Sequence, residues 1–440
     1  MAKRHIAFVL PVYWPAVGGC ELATHELAQH LAQRHDVRVI ALIDSEEDKH
    51  AHELWVGAIL RAPRKDLVTW DGSIPVTRPG MGVTQRYFYA FLARVQSPKL
   101  PGVVVRAAME QLADHYRQRL EPLLNGTDIV HSVHGGASFI GYAALLAARR
   151  MRIPFVYTPL MHLLGGPASA AAHRDEIEPS ARLIPRTWTD HYWRRIWLQA
   201  DAVLTMTDYE RSYYIREGVP AHRVHRTGVG PLLPHPAPNP PTRLDVPDAD
   251  PTVLFLARNT LAKGVGLLLE AAPLVWAAFP RTRFVIAGPP APESDGLLAR
   301  AADPRLLVLG TVTEAEKDDL MRRCSIYCMP SREESLGATY LEAWSHGKPI
   351  IGLRIPPLQE LNDSDRGGLL SEPTAKDIAD KLCWLLGHPD TMREMGAWGR
   401  ERTLSRYSWT SIASRTETIY EGLLQPAQEA EKKAAMAEVP

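Results

Sequence analysis

Cysteine is scarce in this chain, with four in 440 residues: Cys20, Cys324, Cys328 and Cys383. So few cannot form a disulfide scaffold. Cys324 and Cys328 sit in the stretch CSIYCMP with no second pair to complete a zinc site, and they read as buried structural thiols. Net charge is also missing, because 50 Lys plus Arg balance 50 Asp plus Glu. That balance excludes gross polybasic attraction to nucleic acid. Long apolar runs are absent too: no uninterrupted stretch reaches about 18 residues, the length that crosses a bilayer. The amino end MAKRHIAFVLPVYWP has the basic start of a signal peptide, but its apolar run is strand-sized, stops at Pro11 and precedes no small-residue cleavage site. A cytoplasmic protein is expected, with contact limited to the inner face of a membrane if it meets one. Residues 1–235 carry 27 basic against 22 acidic side chains, and the remainder 23 against 28. The basic excess suits an anionic acceptor or a lipid surface near the first half, although ordinary solvated faces are the simpler account.

What is present is a pattern that occurs twice. IAFVL reads as a buried strand, followed by a loop through Gly18 and Gly19, the helical stretch ELATHELAQHLAQRH and a second strand, VRVIALI. Well over two hundred residues later the order returns as TVLFLA, the loop RNTLAKG, the helix VGLLLEAAPLVWAAF and the strand RFVIAG. Each copy is a β-loop-α-β unit, the seed of a doubly wound parallel sheet. The expected fold is therefore α/β, with two Rossmann-like domains. DIVHSV, FVYTPL and AVLTM supply further strands to the first, and LLVLG, IYCMP and PIIGL to the second. Between them, residues 231–251 hold eight prolines and read as a linker. The boundaries that follow are 1–235 and 236–408, a last helix at 409–424, and a flexible tail at 425–440. Residues 80–120, with RYFYAFLARV and AAMEQLADHYRQRL, read as a helical insertion in the first domain.

Two stretches carry candidate chemistry. Arg258 closes the first strand of the second half, and Lys263 precedes Gly264 and the next helix. Both fall at the carboxyl end of a parallel sheet, where two cations beside a helix N-terminus suit a diphosphate. Solvated loop cations would give the same pattern. The segment PSREESLGATYLEAWSHGKPIIG runs from a strand through a polar loop into a short helix from about Gly337 to His346. Amides near Leu336, Gly337 and Ala338 suit a phosphate. Glu334 and Glu342 suit sugar and ribose hydroxyls. From spacing alone, an acid complementing the helix dipole plus an exposed glutamate is the slightly better account.

Taken in order, these pieces resemble the family 4 glycosyltransferases, retaining enzymes of the GT-B fold in which two Rossmann-like domains face each other across a cleft. The residues that carry the resemblance are Gly18-Gly19-x-Glu21, Arg258 with Lys263-Gly264, Ile286-Ala287-Gly288, Leu309-Gly310 and Pro330-Ser331, then Glu334-x7-Glu342 with Ala343, Gly347 and Pro349. The resemblance implies that Arg258 and Lys263 hold the donor diphosphate in place of a metal. It further implies that Gly18 and Gly19 let backbone approach that diphosphate, and that Glu334 meets the donor sugar. Leu336, Gly337 and Ala338 would offer amides, and Glu342 would bind the ribose. His162 is the first choice for a group beside the donor sugar, with His131 and His134 as rivals; a buried structural histidine is an equal account of each. YSWTSIASRTETIYEGLL resembles the family's last helix, which returns to the first domain. Thr227-Gly228-Val229 stands where the family's interdomain turn usually has Asn.

The reaction implied is retaining transfer of a sugar from a nucleotide diphosphate sugar to a glycan, lipid-linked or small-molecule hydroxyl, with no metal, no other cofactor and no nucleic-acid partner. Phe88, Phe91 and Leu92 offer an apolar strip for a lipid-linked acceptor, though core positions are the better reading. Asp248-Ala-Asp250 and Asp363-Ser-Asp365 imitate the metal motif of single-Rossmann glycosyltransferases, but both read as turn chemistry. A dinucleotide oxidoreductase lacks its G-x-G-x-x-G after either opening strand. A nucleotide-sugar 2-epimerase and a non-catalytic sugar-nucleotide scaffold remain as alternatives.

Overall fold

The computed structural model describes residues 2–15, 19–43, 59–94, 102–134, 139–159, 194–232 and 250–437, which divide into two compact units. The first unit is built on an eight-stranded sheet of β1 (His5–Val12), β2 (Asp36–Ile43), β3 (Leu67–Asp71), β4 (Ile74–Arg78), β5 (Ile129–Val133), β6 (Phe155–Thr158), β7 (Ala202–Thr205) and β8 (Val224–Arg226). Their spatial order is β3-β4-β2-β1-β5-β6-β7-β8. Only β3 runs antiparallel, against β4, as an edge hairpin turning at Gly72. Every residue of β5 and of β6 is buried. That is why these strands read as continuous apolar runs rather than alternating ones: helices cover both faces of a parallel sheet.

The second unit holds β9 (Thr252–Leu256), β10 (Arg283–Ala287), β11 (Leu306–Gly310), β12 (Ile326–Cys328), β13 (Ile350–Leu353) and β14 (Gly368–Ser371), all parallel. Their order is β11-β10-β9-β12-β13-β14. This is the doubly wound arrangement in which strand order reverses beside the first strand, here between β9 and β12. The expected α/β class with two Rossmann-like sheets is what the chain adopts. Among the described residues, no helix is long and apolar enough to cross a membrane.

Several local readings change. The stretch 80–120 forms the helices Val83–Arg94 and Gly102–Leu123. The second buries Met109, Leu112, Ala113, Tyr116 and Leu120 in the core of the first unit. It is thus the connection from the hairpin to β5, and a core layer rather than an appendage. Phe88 and Phe91, for which core was the better reading, are exposed; the Leu92 side chain lies outside the described residues. β3, β8 and β14, all at sheet edges, escape the sequence pattern, as does β4 beside β3. Most of the proline-rich linker, 233–249, is also outside the described residues.

The last helix spans Trp409–Ala437, beyond the 409–424 that the pattern suggests, and from Ile412 onward it belongs to the first unit. Ile412, Ala413, Tyr420 and Leu424 are buried along it. Glu417 is buried as well, accepting from Arg34 Nε and Nη2 at 2.8 and 2.7 Å and lying 3.1 Å from His35 Nε2. Glu417→Ala is expected to cost about 2 kcal/mol, less than a fully buried pair because Arg34 keeps contact with water. Calorimetry should show this as a lowered midpoint; an unchanged midpoint would mean that the ion pair contributes nothing to holding the helix.

Candidate functional site

In the second unit β9 and β12 are neighbours in the sheet, so the loops leaving their carboxyl ends meet. The first loop carries Arg258, Asn259, Thr260 and Lys263 and folds on itself through Lys263 N–H donating to Thr260 O at 3.1 Å. Gly264 ends it in the left-handed region at φ 85°. A Cβ there would fall 2.0 Å from the Pro330 carbonyl oxygen, so only glycine lets the two loops touch. Arg332 N–H donates to Ala262 O at 2.9 Å, a second stitch between them. Across this seam Lys263 Nζ donates to Glu334 Oε1 at 2.7 Å. The Glu334 carboxylate is buried and Lys263 is about three-quarters covered, whereas Arg258 is exposed. The structure therefore brings Lys263 and Glu334 into contact and puts Arg258 on the same loop.

The second loop leads into the helix Ala338–Ser345, whose N-cap Gly337 has φ 87° and no side-chain cap. The first-turn amides are therefore not satisfied by a capping side chain, and a helix start of this kind accepts an anion. Leu336 is buried beneath, with Gly337 and Ala338 partly open. Glu342 lies in the middle of that helix with 1% of its surface exposed. Its Oε1 is 3.3 Å from Lys317 Nζ, and its Oε2 has no hydrogen-bond partner. Lys317 also donates to the Leu232 carbonyl at 2.8 Å and pairs with Glu314 at 3.0 Å. Burial drives the Glu342 carboxyl up to about 6, against the attraction of Lys317. The Lys317 ammonium is shifted the other way on balance: burial lowers its pKa, but two carboxylates outweigh that and hold it protonated. Lys317 is the member of the site that sequence reading misses. It sits in a charge-rich helix, Glu314–Arg323, where a lysine reads as solvated.

The remaining candidates separate. Gly19 opens the helix Gly19–Ala32 after β1 in the first unit; Gly18 and His162 lie outside the described residues. In the same unit, Tyr13 donates to Asp71 Oδ2 at 2.8 Å, and the same oxygen lies 2.7 Å from His25 Nδ1. His131 is fully buried, with Nδ1 2.6 Å from Tyr420 Oη and Nε2 2.7 Å from Thr158 Oγ1. Burial lowers its pKa to about 3, so it is a neutral core group. His134 is buried against Gly141. Asp250 anchors Arg281 and Arg283 before β9. Asp363 and Asp365 lie in a left-handed turn, where Asp365 accepts from Asn362 Nδ2 at 3.2 Å. Cys324 and Cys328 are buried free thiols. Among the described residues, no three His, Cys, Asp or Glu side chains converge as a metal would require.

Two doubly wound units, one with a cation-carboxylate pair beside an uncapped helix start at its switch point, have the sheet architecture of the GT-B fold. The chain belongs to the family 4-like glycosyltransferases. Residues 18–230 match the glycosyl transferase 4-like domain, and residues 250–388 match the domain described as glycosyl transferases group 1. The phosphatidyl-myo-inositol mannosyltransferase of Mycobacterium leprae is 31% identical over 39% of this chain, which spans 46% of that protein's length. The D-inositol 3-phosphate glycosyltransferase 2 of Catenulispora acidiphila is 28% identical over 67% of this chain and 70% of its own. Among solved structures, sucrose-phosphate synthase from Thermosynechococcus elongatus has a TM-score of 0.68 at 17% identity, covering 96% of this chain and all of that one. HepE of Anabaena, solved with UDP and glucose, gives 0.63 at 15%, covering 96% of this chain and 100% of its own. At such identities these structures establish the fold.

The Lys317–Glu342 pair makes a direct prediction. In Lys317→Met the Glu342 carboxyl loses its one close cation, so its titration midpoint should move above about 6. Carboxyl carbon NMR of glutamate-labelled protein checks this, and a midpoint that stays or falls would mean that Lys317 does not hold the carboxylate.

Proposed function

We propose that this glycosyltransferase moves a sugar from a nucleoside diphosphate sugar to an acceptor hydroxyl with retention of configuration and without a metal. The observation that carries the reading is the seam itself: Lys263 and Glu334 joined at 2.7 Å beside the uncapped helix start at Gly337. In this reading Arg258 and Lys263 neutralise the diphosphate, and the amides at Leu336, Gly337 and Ala338 add donors that need not reorganise as charge develops. Glu334, oriented by Lys263 through Oε1, turns its second oxygen to the sugar hydroxyls. Glu342 accepts ribose hydroxyls on Oε2, the buried oxygen that lacks a partner. The family resemblance gives Gly18 and Gly19 the role of close backbone approach to the diphosphate, and His162 remains the candidate beside the sugar.

Retention follows when the bond from the anomeric carbon to the diphosphate oxygen breaks and the acceptor oxygen bonds to the same face. The acceptor proton passes to the departing phosphate oxygen, so the sum is sugar nucleotide plus acceptor alcohol giving glycoside plus nucleoside diphosphate. No side-chain base is needed for this balance; positioned positive charge and orientation carry the rate. The acceptor is a hydroxyl of a glycan, a lipid-linked sugar or a small molecule.

Thermal shifts with UDP, GDP, ADP and TDP in the presence of chelator test the donor site. A nucleotide at about 100 times its Kd should add about 2.7 kcal/mol. That amounts to about 5–10 °C for units of this size. The shift should vanish in Arg258→Ala and Lys263→Ala, and its survival in both would remove the assignment. The same shift should shrink as pH falls through about 6, because a protonated Glu342 no longer accepts from two ribose hydroxyls. Glu342→Gln should bind more weakly and lose that pH dependence. Retention is read from the anomeric coupling in the product; an inverted product overturns the mechanism and leaves the donor site standing.

A further inference from the structure

We propose that Tyr340 is a positioning residue of the donor site, holding the uncapped start of the helix Ala338–Ser345 from beneath so that its first amides stay open to a diphosphate. The inference rests on the reading of that helix start as the diphosphate site, and it names what keeps the start in place. Elsewhere in the second unit threonines fix helix starts. Thr313 caps the helix Glu314–Arg323 and Thr374 caps the helix Ala375–Gly387, each accepting from the amide of the third helical residue. A cap at 337 would take amides that a phosphate needs. Gly337 has no side chain to offer, and none would fit, because a Cβ there would lie 2.5 Å from Cδ2 of Tyr340. The ring that excludes a cap also supplies the anchor. Tyr340 stands in the first turn, fully buried, and its hydroxyl donates to the Met329 carbonyl just beyond β12. Burial pushes the phenol well above its ordinary range, so it stays a neutral donor.

A second buried phenol lies against the first. Tyr327 on β12 donates to the carbonyl of Leu256, the last residue of β9, at 3.1 Å. The pairing of β12 with β9 has by then stopped, at Tyr327 opposite Leu254. The two rings meet edge to face with centroids 5.5 Å apart. The carbonyls at the ends of β9 and β12, one leading to the Arg258 loop and the other to the Glu334 loop, are thus each held by a tyrosine hydroxyl. Loss of the Tyr340 hydroxyl still leaves the Met329 carbonyl with the Ser331 amide at 2.7 Å. A change to phenylalanine therefore strands no buried acceptor and costs the fold little. What it removes is the tie between strand end and helix start.

The test compares wild type with Tyr340→Phe by titration calorimetry with UDP, GDP, ADP and TDP, and by hydrogen exchange. Whichever diphosphate wild type binds should bind the variant about fivefold or more weakly. The ligand-free unfolding midpoint should stay within about 2 °C of wild type. At saturation the diphosphate should slow exchange at residues 336–340 in wild type. In the variant that protection should be lost, with protection of the loop 258–263 retained. A tyrosine that only supports the fold gives a different pattern, a lowered midpoint and faster exchange along the whole helix without ligand, and that result overturns the proposal. So does a variant that binds the diphosphate as tightly as wild type with the same protection. If no diphosphate binds wild type, the donor-site reading itself fails and the proposal falls with it, whereas a proposal that fails only in the variant leaves that reading standing.

Discussion

The close approach of two loops at the reversal of strand order in the second unit is the constraint on which the site depends. β9 and β12 are adjacent in the sheet though some seventy residues separate them in sequence. Their carboxyl-terminal loops must therefore touch or leave a gap. Gly264 lets them touch, with the Pro330 carbonyl occupying the space that a side chain would need. Everything chemically useful follows from that contact. Lys263 reaches Glu334, Gly337 begins a helix at the seam, and Arg258 stands on the same loop. In a parallel sheet all strand ends of one sense point the same way, so one reversal gathers cations, a carboxylate and an uncapped helix start from distant segments.

The second unit spends part of its stability on that arrangement. Glu342 and Lys317 are both taken out of water, and a buried pair of this kind gains little over apolar residues of the same size. What it gains is a carboxylate held in place with one buried oxygen left without a hydrogen-bond partner, in a helix otherwise packed through Tyr340, Leu341 and Trp344. The first unit uses buried polar groups differently. His131 is closed between Tyr420 and Thr158, and Glu417 is closed between Arg34 and His35. These groups are satisfied on all sides and fasten the last helix to the sheet.

Much of this was legible before any coordinates. The repeated strand, glycine loop and helix gave the two sheets, because apolar runs bounded by turn residues have few other folds available. The order of these residues along the chain was enough to place Arg258, Lys263 and Glu334 in loops at strand ends and Glu342 on the helix that follows. Other elements were not legible for identifiable reasons. The edge strand β3 exposes Leu67, Val68 and Trp70, so its apolar residues do not mark one buried face. The helix Gly102–Leu123 looked like an insertion because its apolar stripe is diluted by charges that face water. Phe88 and Phe91 looked like core because periodicity reports which residues share a face, not which face meets the protein.

The sequence by itself determined the class of fold, the strand ends at which chemistry gathers and the residue types available there, since these depend on local pattern and on turn-forming glycines. Only the tertiary structure decided that Lys317 supports Glu342, that His131 is a sealed core group, and that the aromatic side of one helix faces water. Each of these is a contact, or a missing contact, between segments far apart in the chain. Burial, which sets both the Glu342 carboxyl and the exposed aromatic face, is a property of neighbours that a linear pattern does not name.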